Sequence, residues 1–450
     1  MSSMTPRCPK ARALLGAVLL ALAPAADALD LLQAFKAASG HDAVWLAAQA
    51  RAAAGQERLP QAQAALQPTV SLNASRMFND QSTQSVGTAQ ATADSYPSGS
   101  VALTGRLPVF NLALRAQRSR AQAQTDEAAA TLQLERQNMA LRVVSTYLDA
   151  LSAQDDVTLA ATQTAFYARQ LDAARKMFAA GAGTRTDADE VQAKLDQARA
   201  VEQDARQAVG LAQRKLQALV REPMDRLGRL APLNPARLQW APPRPEALEE
   251  AMAQAEHRNP EVRVLKAQQA AAAQEVQRVR AGHLPTLDVV AQWSRGDRDN
   301  SNAPSYRVAN KSIGVQLTVP LFAGGGVNSQ ERQAQAELLA LDQMLDGLRQ
   351  DLAVRLQKEL DGLANGASRI QALETAERSA AQVLVSTQKS YAGGSRTVLD
   401  VLNAEQQRAS VVRDLARTRY GLLMARARLL SLTDALDVDT LGALNACFVD

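Results

Sequence analysis

Aromatic residues make up only 4% of this 450-residue chain, histidine occurs three times and cysteine twice. Few aromatics beside abundant Ala, Gln, Leu and Arg argue against a globular enzyme core and suit long packed helices. His41, His257 and His283 are scattered without metal-ligand spacing, so no metal site is expected. Gly-x-Ser-x-Gly, His-Glu-x-x-His and a complete P-loop are absent, which leaves no candidate nucleophile, base or nucleotide site and no implied cofactor. The Gly324-Gly325-Gly326 run lacks a following Lys-Ser/Thr and reads as a strand-to-helix turn. Long apolar runs are also scarce. One uncharged run covers residues 13–26, and no second run approaches the ~18 residues of a membrane-spanning helix.

What is present at the N-terminus reads as a secretory signal at residues 1–28. Arg7, Lys10 and Arg12 precede the apolar run, and Ala26-Asp27-Ala28 forms a small-x-small cleavage site. Cys8 lies in that leader, outside any lipoprotein-type site, so only Cys447 remains and no intrachain disulfide is expected. Removing Arg7, Lys10, Arg12 and Asp27 lowers the formal charge from +4 to +2. The remaining charges are interspersed, which gives no sign of nucleic-acid binding. An exported chain without a spanning helix is either periplasmic or crosses a membrane as strands.

The chain repeats itself. Leu66-Gln67-Pro68-Thr69-Val70 returns as His283-Leu284-Pro285-Thr286-Leu287, Leu107-Pro108-Val109-Phe110 as Val319-Pro320-Leu321-Phe322, and Gly183-Thr184-Arg185-Thr186 as Gly394-Ser395-Arg396-Thr397. The offsets are 217, 212 and 211 residues, which marks an internal duplication. The expected organisation is a first repeat at 29–222 with a hairpin at 69–107, a connector at 223–244 and a second repeat at 245–436 with a hairpin at 286–319. A short segment, 437–450, follows. Six of the 17 prolines fall between Pro223 and Pro245.

Four segments alternate with period two: 69–78, 101–107, 286–294 and 312–319. Val70, Leu72, Ala74 and Phe78 oppose Thr69, Ser71, Asn73 and Ser75, with Arg76 interrupting the apolar side. Val101, Leu103 and Leu107 form a second apolar side, Leu287, Val289, Ala291 and Trp293 a third, and Ile313, Val315, Leu317 and Val319 a fourth. These lengths approach the ~9–11 residues of a tilted transmembrane strand, the second being the shortest. Residues 79–100 and 295–311 are polar and read as loops. Two amphipathic hairpins on a soluble sheet would carry the same alternation. If the strands enter lipid, four do not close a barrel, since an open edge would leave backbone groups unpaired and small barrels start at about eight strands. Several copies must then contribute, and the pattern leaves two, three or four open.

Helices fill the rest. Residues 111–180 contain no proline, and 322–391 match them, each about 70 residues and on the order of 100 Å long. Leu338, Leu341, Leu345, Leu348 and Leu352 step by three and four, as do Leu141, Val144, Leu148 and Leu151, the spacing of a coiled-coil seam. Shorter helices are expected at 187–221 and 398–432 after the glycine turns, and single helices at 31–65 and 246–282 before the hairpins. Pro68 and Pro285 should open strands, and Pro108 and Pro320 should end them.

The segments from His283 to Asp288, from Val319 to Gly325 and from Val327 to Gln330 together resemble the TolC family of outer-membrane efflux and type I secretion channels. So does Tyr391-x-x-Gly394-Ser395-Arg396-Thr397-Val398-Leu399-Asp400-Val401-Leu402. The resemblance spans nearly all of the mature chain and is closer to TolC itself than to lipid-anchored relatives, with TolC's long C-terminal tail missing. It implies a mainly α fold with a membrane β-barrel portion, built as a homotrimer with a twelve-stranded barrel in outer-membrane lipid above a coiled-coil α-helical tunnel in the periplasm. It also implies a passive duct opened by a periplasmic adaptor protein and an inner-membrane transporter of ABC or RND type. A periplasmic coiled-coil adaptor and a structural coiled-coil protein are the rival readings. The first lacks its lipoyl-like domain here, and the second has no need of lipid-facing alternation.

By the same resemblance the gate lies in the turns around 181–189 and 391–403. Tyr391 and Arg396 would link to Thr186 and Asp187 in the closed state, and Asp400 would form an acidic ring. Asn403 stands where the family has a second acidic residue, so the expected cation ring is weak. A plainer role is available as well: Thr397-x-x-Asp400 and Thr186-x-x-Asp189 both resemble helix capping boxes.

Overall fold

The computed structural model describes residues 28–84, 87, 91–223, 227, 230–238, 244, 246–298 and 306–448. All of the expected signal but Ala28, and parts of the 223–244 connector, lie outside these. In chain order the elements are α1 (Leu31–His41), α2 (Ala43–Gln56), α3 (Arg58–Ala64), β1 (Thr69–Gln84), β2 (Ala91–Phe110), α4 (Leu112–Ala179) and α5 (Arg185–Val220). Then come α6 (Ala247–Arg258), α7 (Pro260–Arg280), β3 (Thr286–Arg298), β4 (Tyr306–Thr318), α8 (Gly326–Ala392), α9 (Val398–Leu432) and α10 (Val438–Asn445). No described helix is long and apolar enough to cross a membrane.

The helices expected as single pieces at 31–65 and 246–282 are broken. Asn259 ends α6 and caps α7: its side-chain oxygen accepts from the amides of Glu261 (2.8 Å) and Val262 (3.2 Å), while Pro260 starts the new helix without a donor to lose. Asp42 does the same between α1 and α2. It accepts from the Val44 amide at 3.0 Å, and Arg142 holds its other oxygen at 2.5 Å.

The chain divides into two compact units, each drawing on both halves of the sequence. One comprises the described parts of Met1–Val44, Gln137–Leu248 and Leu356–Asp450; the other comprises those of Trp45–Arg136 and Glu249–Arg355.

The second unit holds the sheet, antiparallel throughout in the order β1-β2-β3-β4, so β1 and β4 are its edges. The strands run well into the segments expected to be loops at 79–100 and 295–311, and the strand expected to be shortest is the longest, at 20 residues. A backbone ladder needs no apolar side chains if the polar ones pair across it. Here the Asn79 amide donates to the Ser98 hydroxyl at 2.8 Å, Ser95 to Asp80 at 3.1 Å and the Tyr96 hydroxyl to Gln81 at 3.1 Å. Pro97 is accommodated because pairing with β3 begins only at Ser98. Pro108 does not end β2 as expected. The strand continues to Phe110, and the register with β3 shifts between these two residues. α8 starts at Gly326, after a turn in which Gly324 and Gly325 take positive φ (59° and 77°).

In the same unit α7 packs on α8 through Val276, Val279 and Ala334. α2 meets α4 so closely that a Cβ on Gly55 would lie 2.5 Å from the Ala128 Cβ. Glu256 accepts from both Lys266 (2.8 Å) and Arg349 (2.9 Å), which hold its carboxyl down at about 2. Of the expected leucine seam in α8, Leu345 and Leu352 are buried, and Leu338, Leu341 and Leu348 half-buried.

In the first unit Tyr147 is fully buried. Its hydroxyl donates to the Leu29 carbonyl (2.9 Å) and lies 3.3 Å from that of Ala231, and its ring meets Phe448 edge-on. Asn445 of α10 accepts from the Leu32 amide at 3.3 Å, which ties the two ends of the described chain together. Cys447 is buried and unpaired.

Candidate functional site

Two places carry the signals read from the sequence: the exposed sheet of one unit and the paired helical turns of the other.

On the sheet, strand alternation sorts side chains onto two faces. Val70, Leu72, Leu103, Leu107, Trp293, Ile313, Val315 and Leu317 share one face, and each is 36% or more exposed, so much of this apolar surface is left uncovered by the chain. The opposite face carries Ser71, Asn73, Thr104, Gln292, Ser294, Ser312 and Gln316, together with a salt bridge from Arg106 to the buried Asp288 at 2.6 Å.

The turns that follow α4 and α8 are built alike. α4 ends at Gly181, left-handed at φ 73°, with the Ala182 amide returning to the Met177 carbonyl at 2.9 Å. α8 ends at Gly394, φ 77°, with the Ser395 amide returning to Ser390 at 2.9 Å. These are the six-to-one closures that glycine permits at a helix C-terminus. A capping box then opens each following helix. The Thr397 amide and hydroxyl donate to Asp400 (2.9 and 3.0 Å), and the Asp400 amide donates back to the Thr397 hydroxyl (3.2 Å). In the first turn the box is Thr184 with Asp187, at 3.0, 2.7 and 3.1 Å, and not the expected Thr186 with Asp189. Counted from the left-handed glycines, the turns correspond at an offset of 213 residues, not 211. Asp187 is thus the counterpart of Asp400, and Gly183 that of Arg396.

Beneath the turns lies a shared core. Phe166, Tyr167, Leu171 and Ala174 of α4 meet Val191, Leu195 and Ala198 of α5, with Leu384 of α8 and Val398, Val401 and Leu402 of α9. Tyr391 packs half-buried against it and donates to the Met177 sulfur at 3.5 Å. Burial first, and then the Asp187 charge, push its hydroxyl pKa up. Hydrogen bonds from the Thr397 amide and hydroxyl, then the Arg396 charge, hold the Asp400 carboxyl below its ordinary range. Arg396 is exposed and reaches Asp400 at 3.8 Å. It bridges neither Thr186 nor Asp187; Thr186 is exposed on the first turn of α5 and Asn403 on the second turn of α9. Sequence reasoning missed Met177 and the buried Glu405, one oxygen of which has no hydrogen-bond partner. Glu405 was traceable, because Val398, Val401, Leu402, Glu405 and Ala409 mark one core-facing stripe of α9. Among the described residues no His, Cys, Asp or Glu cluster could hold a metal ion.

The family model described as "Outer membrane efflux protein" matches residues 38–220 and 251–434. The chain belongs to the outer membrane efflux protein family. Alkaline protease secretion protein AprF of Pseudomonas aeruginosa is 33% identical over 439 residues, covering 97% of this chain and 91% of AprF. Proteases secretion protein PrtF of Dickeya chrysanthemi is 29% identical over 448 residues, covering 97% and 95%. In fold the chain is similar to the outer-membrane channel OprN, with a TM-score of 0.76 over 90% of each chain at 17% identity. The TolC-like resemblance of the motifs and the mainly α fold with four strands are borne out. This outer membrane efflux protein is an outer-membrane exit duct of an efflux or type I secretion system, and nothing supports the adaptor or structural alternatives. Its family is one of transport channels and not an enzyme class.

Proposed function

We propose that three copies of the chain close one barrel, four strands from each, with the apolar face toward outer-membrane lipid and the polar face lining the duct. The observation that carries this is the open sheet: β1 and β4 leave both ladders unpaired, and in lipid each orphaned backbone group costs several kcal/mol. The β4 edge of one copy pairing with β1 of the next removes every edge. The family model's two matches, 38–220 and 251–434, support the duplicated organisation of repeats 29–222 and 245–436 around the 223–244 connector.

The turns after α4 and α8 form the gate in this reading. Asp400 supplies the constricting acidic ring and Asn403 leaves it single. Tyr391 and Arg396 make the closing links, with Thr186 and Asp187 as partners supplied by a neighbouring copy. Arg396 fits that role because its guanidinium is exposed and, among the described residues, its ion pair with Asp400 is long at 3.8 Å. Exposed pairs of this kind contribute ~0–1 kcal/mol each, so a docking periplasmic adaptor can break several. The energy comes from an inner-membrane transporter. Similarity along 97% of this chain to proteins named for protease secretion favours an ABC-type pump and a secreted protein as cargo.

The test is assembly and conductance together. Protein extracted from membranes should run as a trimer and insert into planar bilayers with one conductance per trimer. A monomer recovered from the soluble periplasmic fraction, silent in bilayers, would sink the proposal.

A further inference from the structure

The register collects cations at one end of the lipid-facing side. Three successive cross-strand rows on that side read Leu72–Leu103–Trp293–Lys311, Ala74–Val101–Arg295–Ala309 and Arg76–Gly99–Asp297–Arg307. Arg295 therefore lies diagonally between Lys311 and Arg307, about 7–8 Å from each in backbone spacing. Arg76 lies in the same row as Arg307. Against these four cations stands Asp297, which pairs with Arg76 at 3.2 Å. Asp80, four residues beyond Arg76 on the same side, is held by the Ser95 hydroxyl. Arg295, Arg307 and Lys311 are exposed and have no ion-pair partner among the described residues.

The residues between the cations are small. Ala309 faces Arg295, and Gly99 sits under the Arg76–Asp297 pair: a Cβ there would lie 2.9 Å from the Asp297 oxygen and 3.2 Å from the Arg76 guanidinium. The patch is thus an open basic shelf. It overlaps the end of the apolar band of Leu72, Leu103, Trp293 and Ile313, with Val101 in the row of Arg295 and the exposed Phe78 just beyond Arg76, and Trp293 is the amphipathic aromatic expected at a membrane–water boundary. It lies toward the hairpin ends of the strands, 84/91 and 298/306, away from the ends that lead into α3, α4, α7 and α8.

Unpaired cations beside an apolar band would be costly against hydrocarbon and favourable against anionic headgroups. We propose that Arg295, Arg307 and Lys311, with Arg76 beside them, bind the phosphorylated headgroup of a lipid in the outer leaflet of the outer membrane. The binding rests on the reading above that the apolar face meets lipid. The acyl chains lie along Leu72, Leu103 and Ile313, and the phosphate sits on the shelf. A guanidinium pair is suited to phosphate because its donors match two oxygens at once.

The test uses the full chain in lipid nanodiscs containing phosphatidylcholine with trace lipid A, either phosphorylated or dephosphorylated, and counts retained lipid by native mass spectrometry. The wild type should retain phosphorylated lipid A and lose it when the phosphates are removed. Arg295→Gln/Arg307→Gln/Lys311→Gln should weaken retention on the order of a hundredfold, at about the contribution per cation seen at other anionic membrane surfaces. The charge-keeping Arg295→Lys/Arg307→Lys/Lys311→Arg should retain it, and millimolar inorganic phosphate should not displace it. Equal retention by wild type and the glutamine variant, or equal retention of both lipid A forms, overturns the lipid site while conductance leaves the barrel standing. Displacement by inorganic phosphate overturns the lipid in favour of a free anion. Failure of the wild type itself to enter the bilayer overturns both.

Discussion

Glu405 is the residue whose surroundings fit it least. It sits 2% exposed on the core stripe of α9, with one oxygen unpartnered and Arg408 no closer than 3.9 Å. Burial pushes its carboxyl up, and the charges of Arg408 and Arg169 offset this only in part. A raised carboxyl makes the ionised form a burden on the fold: absent below the unfolded value of about 4.3, it grows as pH rises and is complete above the folded value. Glu405→Gln should therefore raise the melting temperature at pH 7, by on the order of 1 kcal/mol of stability, and change little near pH 4. Equal shifts at both pH values would show that the charge is not the cause. Asp400 poses the opposite question, since it both caps α9 and faces the proposed ring. Asp400→Asn keeps hydrogen-bonding atoms but removes charge; it should lower the melting temperature slightly at pH 7, since the ionised cap stabilises the helix start, and relieve divalent-cation block in single-channel recordings. Asn403→Asp should deepen that block. Unaltered block in both variants would reduce Asp400 to a cap. Arg396→Ser should raise resting conductance if the arginine links neighbouring copies.

At the scale of elements, the sequence was legible where one physical signal dominated. α9 runs from Val398 to Leu432, as its cap and periodicity require, and the glycine run before α8 is a turn. It was illegible where a tertiary partner decided. Strands β1 and β2 continue through polar residues because Asn79, Asp80 and Gln81 find partners across the ladder. The lettering Gly-Thr-Arg-Thr at 183–186 matched Gly-Ser-Arg-Thr at 394–397, yet the residue that closes the helix is Gly181 in one and Gly394 in the other. Alignment of letters therefore put the first cap two residues late. The break at Asn259-Pro260 was in plain view as an N-cap followed by N1 proline, outweighed by the helical periodicity on either side. Asn259→Ala should cost about 1 kcal/mol, read as a lower denaturation midpoint. Gly55→Ala should cost about 1–3 kcal/mol, since its new methyl has nowhere to go unless α2 backs away from Ala128. An unchanged midpoint in the second case would mean that this helix contact yields freely.

For the whole molecule, the two sheet faces make unequal demands. Ile313→Arg puts a charge at a site 80% exposed on the apolar face and should lower barrel insertion by roughly 2–4 kcal/mol, seen as protein lost from the membrane fraction. Gln316→Arg, on the polar face, should leave insertion intact and shift ion selectivity in bilayers. Similar losses in both would contradict the assignment of faces. A last consequence follows from Gly183 standing where Arg396 stands in the sister turn. In the proposed trimer, six near-identical helix ends crowd the periplasmic rim, and their guanidinium groups sit at different stations: Arg396 stands just before the cap Thr397, whereas Arg185 stands just after the cap Thr184. The rim then alternates two placements of one charge, and a partner that grips it meets threefold, not sixfold, chemistry. Each adaptor contact must tell one kind of hairpin end from the other, and the place of an arginine relative to the cap marks the difference.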